Sequence, residues 1–476
     1  MRWWGNRAHR IYTVVVLVIL AALDNTALQL LPPLFGVVSE DLEVTEAALG
    51  FVTATTLLLT AITAALWGYV GDRLPRRPLL VGGTLVWAAG TALAGIAPST
   101  EAGGFTPGLG ILLTSHVIIG VGTGAVASIG FAVISDLIPP RHRGIAMSFW
   151  GLSQGVGALA GTLVAGTLGA TDWRVPFFGL SLVGVGIAVA YSLGYDTPRG
   201  ASEPELRELH EQGDPYPYRI EPDDLPVLAR RRTNIWLVLQ GLTAQFAYGS
   251  LIWLPRLFQS RIAAGGASPR LSVIAGSVLA GVFQLGGVMS ILGGWLGDRW
   301  QQRTLRARPA VSAIGILGAI PFFLVLFFLP LNVEVEDGST GEVVLATLKS
   351  VVTNPSVGAA FLIALLALTF TSADSPNWFA LIGDVNLPEH RGTVFGVGNL
   401  VNGVGRAAGN GLVGLVFGLE MLDRFPPDVR FAIGLAAFQV FFLPTGWMYW
   451  RASRTAPGDI TEVRERLAAR GEPRAG

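Results

Sequence analysis

Two stretches decide how this chain reads: Asp136–Gly161, DLIPPRHRGIAMSFWGLSQGVGALAG, and Asp384–Gly409, DVNLPEHRGTVFGVGNLVNGVGRAAG. They lie 248 positions apart, align without a gap and share 11 of 26 residues. The shared residues include Asp136/Asp384, Pro140/Pro388, the triplets His142-Arg143-Gly144 and His390-Arg391-Gly392, and Gly157/Gly405. A second echo supports the repeat: Gly68-Tyr-Val-Gly-Asp72-Arg73 returns as Gly294-Trp-Leu-Gly-Asp298-Arg299. The chain is therefore two related halves running in the same direction. In an apolar chain, such repeats point to a secondary transporter whose site lies between the halves.

The composition is that of a membrane chain. Apolar residues make up 51% and charged residues 14%, against about 25% charge in an ordinary soluble domain. The formal net charge is zero, so no basic field points to nucleic acid. The absence of cysteine excludes disulfides and thiolate metal sites. The sole lysine, Lys349, follows Leu348, so no phosphate-cradling G-x-x-x-x-G-K-[ST] loop exists and an ATP-driven pump is disfavoured. No H-E-x-x-H motif is present, and neither a metal, a cofactor nor an enzymatic activity is expected.

About 20 apolar residues cross a bilayer as helix. Twelve such segments are expected near 11–37, 46–70, 78–98, 108–135, 142–168, 174–195, 234–258, 270–297, 308–330, 355–383, 392–418 and 431–450. With both termini on the cytoplasmic side, 25 of the 33 basic residues fall on that side and seven on the other, the remaining one being Arg406 within a span. Arginine placement of this kind sets orientation, and an inner (plasma) membrane location with both termini cytoplasmic is expected. The expected class is an all-α membrane protein with twelve transmembrane helices in two pseudo-symmetric six-helix bundles. Residues 1–195 and 234–451 are the bundles, 196–233 a Pro-rich cytoplasmic linker and 452–476 a cytoplasmic tail. Ser202-Glu-Pro-Glu205 reads as a capping box opening a short linker helix, and Asp459-Ile-Thr-Glu462 as the start of a tail helix. Val333–Gly338 reads as a hairpin turn.

Ionisable side chains inside a span cost roughly 2.5–3.5 kcal/mol or more, so each needs a partner or a wet cavity. Asp24 falls near the centre of the first span and Arg406 near the centre of the eleventh, where the first repeat has Ala158. Asn399, Asn402, Arg406 and Asn410 are spaced 3, 4 and 4 apart and form one polar stripe. Gln154, Gln245 and Gln284 lie at similar depth, Asp374 slightly to the cytoplasmic side and His116 to the outer side. The third, sixth, ninth and twelfth spans carry no charge at their centres. The reading is a central cavity in which Asp24 and His116 handle protons. Arg406, Asp374, Gln154, Gln245, Gln284, Asn402 and Asn399 would contact the cargo, with Arg406 as a fixed cation for an anionic head group.

With these residues in view, the chain resembles the major facilitator superfamily along its whole length. Gly68-Tyr-Val-Gly-Asp72-Arg73-Leu-Pro-Arg76-Arg77 matches the superfamily's motif between the second and third spans. Within it the chain is most similar to the Spinster-like branch, through LDNTALQLLPPL around Asp24, GVGTGA from Gly120, VISDLIPPRHRG from Val133 and SLIWLPRLF from Ser250. Branch members usually follow the first-span aspartate with arginine and carry arginine and glutamate in the fourth span; here Asn25, His116 and Thr123 stand in those places. The resemblance implies the major facilitator fold, eight cavity-lining spans, and proton-linked transport of lysophospholipid- or sphingolipid-like cargo. It also implies that Asp72 docks near the start of the eleventh span when the inner side is shut.

The gate follows from the repeats. Two rocking halves need contacts that form in one state and break in the other. Asp72, Arg73, Arg77, Asp136 and Arg143 in the first half, and Asp298, Arg299, Asp384 and Arg391 in the second, are the candidates at the cytoplasmic face. The expectation is a monomeric secondary transporter working by alternating access, with a small-molecule or lipid substrate, protons and the bilayer as partners. Proton-coupled multidrug efflux is the runner-up, then polar anion exchange. A non-transporting receptor or scaffold is the alternative from another class.

Overall fold

The computed structural model describes residues 7–71, 74–99, 107–130, 132–134, 140–195 and 223–471, with backbone alone at 7, 140–151, 388–389, 391–392 and 467–471. Ten helices are long and apolar enough to cross a bilayer: Ala8–Asp41, Glu46–Gly71, Arg76–Gly95, Pro107–Ile134, Val175–Ser192, Arg232–Ala264, Pro269–Gln301, Ala307–Phe328, Pro355–Val385 and Pro427–Arg466. Two more, Pro140–Leu168 and Pro388–Phe417, are 29 and 30 residues long. The second of these carries the polar stripe, which lowers its hydropathy without shortening it. Together they are the twelve spans, numbered here in chain order, and no strand occurs among the described residues.

Several spans are interrupted where the sequence withholds a backbone donor or a side chain. Pro32 and Pro33 open a tight turn that divides the first span, because proline brings no N–H to the helix. A similar turn, Leu251–Trp253, precedes Pro255 in the seventh span, and Gln284–Met289 interrupts the eighth beside Gly286 and Gly287. Helix resumes after Pro255 because proline is tolerated in a first turn. The seventh span therefore runs to Ala264, six residues beyond the expected end, and Arg256 sits inside it.

The repeat is visible in the packing. A side chain at Gly157 would collide with the Ala22 carbonyl, and one at Gly161 would lie 2.7 Å from the Thr26 carbonyl, pressing the fifth span on the first. Their repeat partners do the same in the second half. Gly405 would meet the Leu242 carbonyl at 2.6 Å and Gly409 the Phe246 carbonyl, pressing the eleventh span on the seventh. Small residues let helices approach where lipid supplies no hydrophobic drive. The large exposed apolar side chains include Leu182 and Val189 on the sixth span, Ile314 and Phe328 on the ninth and Trp447 on the twelfth. These are three of the spans with uncharged centres, and such surface suits acyl chains.

Two local expectations differ. Residues 333–338 form no hairpin; they lead into a helix, Thr340–Thr353, whose start is fixed by a reciprocal cap between Ser339 and Glu342. Hydrogen bonds from Ser339 hold the Glu342 carboxyl below the usual glutamate range. The tail does not begin a new helix at Asp459, because the helix Phe442–Gly471 runs straight through. Asp459 instead accepts from the Thr233 N–H at the start of the seventh span, and Glu462 pairs with Arg231 at 3.2 Å. Ser202–Glu205 lies outside the described residues.

Candidate functional site: the crevice between the halves

The halves meet along the second and eleventh spans and along the fifth and eighth. Their polar contacts lie in the portion of each span away from the arginine-rich, basic face. Glu46 grips Arg256, its two carboxylate oxygens each 2.9 Å from Nε and one of them 2.5 Å from Nη2. Gln259 donates to the Pro33 carbonyl at 2.7 Å. Asn410 donates to the Gly50 carbonyl at 3.1 Å and to Thr53 Oγ1 at 2.5 Å, and its own oxygen accepts from the Trp253 indole at 2.9 Å. Phe35 stands edge-on to Trp253 at 4.5 Å between ring centres. Toward the basic face there is free space beside several small residues of the fifth, eighth and eleventh spans. A side chain at Gly155, Gly287 or Gly396 would meet nothing within 4 Å, and Gln154 and Asn399 are exposed. Exposed amides at this depth face water rather than lipid. Among the described residues, the polar contacts between the halves thus gather at the face away from the basic one.

Arg406 lies at the head of this crevice. At about 100° per residue, it falls between the face of the eleventh span that packs on the seventh, through Gly405 and Gly409, and the face that packs on the second, through Gly403, Asn410 and Gly411. Its Nε is buried and meets no hydrogen-bond partner among the described residues. Asn402 crowds Gly241 on the seventh span, and Gln245 packs on Gly405. Gln284 reaches across to Thr162 of the fifth span at 3.4 Å. Arg406, Asn399, Gln154 and Gln284 are therefore brought to one crevice, with Asn402 and Gln245 at its wall.

Asp24 and Asp374 lie elsewhere. Asp24 is 4% exposed and shares a helix face with buried Leu17 and Leu20, whereas Ala22 and Thr26, on the other side, pack on the fifth span. It is inside the first bundle, and its Oδ1 has no hydrogen-bond partner among the described residues. Neighbouring Asn25 is committed to the Ala21 carbonyl at 3.0 Å. His116 turns toward the sixth span: Nδ1 lies 2.9 Å from the Leu112 carbonyl, and the ring meets Phe177 edge-on at 6.3 Å. Thr123 is bonded to Thr60 of the second span at 2.8 Å. Asp374 is inside the second bundle beside Ser312 and Tyr449.

Of the gate candidates, Asp298 and Asp384 come together through Arg308, which reaches them at 3.0 and 3.1 Å. Arg299 lies over the Trp295 ring at 5.6 Å, and Arg77 donates to the Gly194 carbonyl at 3.2 Å. Each of these contacts stays within one half. Asp72, Arg73 and Asp136 lie outside the described residues, and the side chains of Arg143 and Arg391 are likewise not described. Sequence reasoning missed Glu46, Gln259 and Arg308. For the first, Arg256 gave a signal: a charge flanked by Leu254, Pro255 and Leu257 needs a partner.

A family model described as the Major Facilitator Superfamily matches residues 15–410. The chain belongs to that superfamily. It is an integral membrane protein. The chain is similar to Protein spinster homolog 1 of Mus musculus, 26% identical over 340 residues, covering 67% of this chain and 61% of that one. It is 24% identical to the sphingosine-1-phosphate transporter of Xenopus tropicalis, over 61% of this chain and 55% of that one. It is 27% identical to a probable sulfoacetate transporter of Cupriavidus necator, over 67% and 72%. The match thus spans only 61% and 55% of the two spinster-type relatives. Among solved structures, a bacterial homolog of the human lysosomal transporter Spinster, inward-facing and unoccupied, superimposes with a TM-score of 0.72 at 20% identity, over 96% of this chain and 99% of that one. A D-xylose-proton symporter superimposes with a TM-score of 0.63 at 14% identity, over 91% and 97%. These likenesses confirm the superfamily fold.

Proposed function

We propose that the chain is a secondary transporter that works by alternating access and moves an amphiphilic, anionic organic solute coupled to protons. One observation carries the reading: the halves are locked at one face by the Glu46–Arg256 pair and the Asn410 bonds, and between them Arg406 keeps a buried Nε without a hydrogen-bond partner among the described residues. A fixed guanidinium in an apolar wall suits a phosphate, sulfonate or carboxylate head. Sphingosine 1-phosphate, named for one relative, is such a lipid, and sulfoacetate, named for another, is a small anion with two such groups. The apolar walls favour the lipid-like cargo; the second likeness favours exchange of small organic anions as the alternative reading.

Coupling rests on Asp24, a buried carboxyl with an unpartnered oxygen, which takes a proton from one side and releases it to the other. His116, bonded along its own helix, has the lesser part. The bundles 1–195 and 234–451 rock as bodies about the linker 196–233, with 452–476 as the tail, and the chain acts as a monomer. The arginine excess makes the basic face cytoplasmic in an inner (plasma) membrane. The native chain lacks cysteine, so single introduced cysteines report sidedness directly.

Proteoliposomes test the reading. Flux of a lysophospholipid or sphingoid phosphate should follow an imposed proton gradient in the native protein. It should lose uphill accumulation, but not downhill exchange, in Asp24→Asn. Arg406→Ala should weaken anionic cargo about tenfold or more relative to a neutral analogue, the scale of one lost charged hydrogen bond. Equal loss for both cargoes would remove the head-group role, and gradient-independent accumulation would remove the coupling role.

A further inference from the structure

The Asp374 carboxyl is 8% exposed, far from the ordinary place of an unpaired acid. Three helices meet around it. Ser312 of the ninth span and Tyr449 of the twelfth, both 0% exposed, lie beside it. Tyr248 of the seventh approaches from the third side, donating to the Thr371 carbonyl at 3.2 Å. Asp374 Oδ1, Ser312 Oγ and the Tyr449 hydroxyl are all buried and face one another, and none meets a hydrogen-bond partner outside this trio among the described residues. No lysine, arginine or histidine of the described residues forms an ion pair with the carboxylate; the titratable groups facing it are the two tyrosines. The tenth span is also interrupted here, one helix ending at Ser372 and the next beginning at Asp374. Pro376 removes the N–H that would otherwise occupy the Ser372 carbonyl.

We propose that Asp374, Ser312 and Tyr449, with the Ser372 carbonyl left without its helical donor by Pro376, form a binding site for a monovalent metal cation, sodium in size. The donor set is oxygen only, which suits a hard cation and excludes a soft one. A single carboxylate offsets one positive charge; a divalent ion would leave a net charge stranded in a low-dielectric interior. Broken helices with liberated carbonyls are a recurrent way for a transporter fold to hold sodium. The site is separate from the Arg406 crevice and ties together the seventh, ninth, tenth and twelfth spans. Its occupancy therefore stiffens the second bundle. It rests on the geometry of this bundle, not on the cargo proposed above.

The test is thermal unfolding of the purified full chain in sodium, potassium or choline chloride at equal ionic strength and pH. Ligand that binds only the folded state raises the midpoint as its concentration passes the dissociation constant. Sodium should raise it by several degrees over choline in a saturable way. Asp374→Asn should abolish the sodium response, and the milder Ser312→Ala and Tyr449→Phe should each raise the half-saturating sodium about tenfold. The milder pair keeps the test decisive if Asp374→Asn does not fold. Equal midpoints in all three salts, a response to pH alone, or a full sodium response in all three variants would each overturn the site. Failure of lipid flux with the sodium response intact would count against the proposed cargo and leave the cation site standing.

Discussion

Asn410 uses both ends of its amide at the boundary between the halves, donating to Gly50 and Thr53 and accepting from Trp253. Asn410→Ala removes these bonds, while Trp253 keeps the Asn410 backbone carbonyl and Thr53 keeps the Gly50 carbonyl, at a cost of about 1 kcal/mol. Thermal unfolding should show that loss for Asn410→Ala and little change for Asn399→Ala, which lies farther along the same stripe and is exposed. Glu46→Gln removes the charge that holds Arg256. It should shift the balance toward the outward-open state about tenfold, read as faster labelling of a cysteine placed at Gly36, whose position abuts Arg256. The two cases differed in legibility. The polar stripe containing Asn410 was visible in the sequence because helical spacing puts 399, 402, 406 and 410 on one side. The Glu46–Arg256 pair was not, because its members come from different spans and only the assembled halves bring them together. The same holds for Ser312 and Tyr449 around Asp374.

At the scale of helices, the repeated glycines explain why the two halves look alike in sequence at all. Gly157 and Gly405, like Gly161 and Gly409, stand where a neighbouring backbone carbonyl leaves no room for a side chain. Gly157→Leu and Gly405→Leu should each destabilise the fold by at least about 1–3 kcal/mol, whereas Gly155→Leu, with open space around it, should not; a thermal unfolding series separates them. The span boundaries were legible because twenty apolar residues in a row have few other uses. The helix Thr340–Thr353 was not read, although Ser339-Thr-Gly-Glu342 is a capping signature, because the alternating Val333-Glu-Val-Glu336 ahead of it suggested strand. Its cap is pH-sensitive. Folding lowers the Glu342 carboxyl below the unfolded value, so its contribution is present above the ordinary glutamate range and fades as pH falls through the lowered folded value. Hydrogen exchange at 340–346 should quicken on that acidification and in Ser339→Ala.

At the scale of the whole chain, two bundles with matching helix contacts meet along a crevice whose polar lock, among the described residues, lies at the face opposite the basic one. The repeat announced the bundles, since a 248-residue offset preserves both the glycine contacts and the acid–arginine corners. It could not announce which face is shut, because that is a property of how the halves lean and not of either half. Nor could it separate Asp24 and Asp374, which lie inside their own bundles, from Arg406, which lies between them; depth in the membrane reads from position along the chain, but the direction a side chain faces depends on its neighbours. Paired spin labels give the direct test of rocking. One pair would be carried at Thr171 and Met421 on the sealed face, and another at Leu74 and Gln302 on the basic face, in a chain with no native cysteine. Upon addition of anionic lipid cargo and a proton gradient, or in Glu46→Gln, the first distance should lengthen as the second shortens. Distances that stay fixed, or that change in the same direction, would contradict alternating access between these halves.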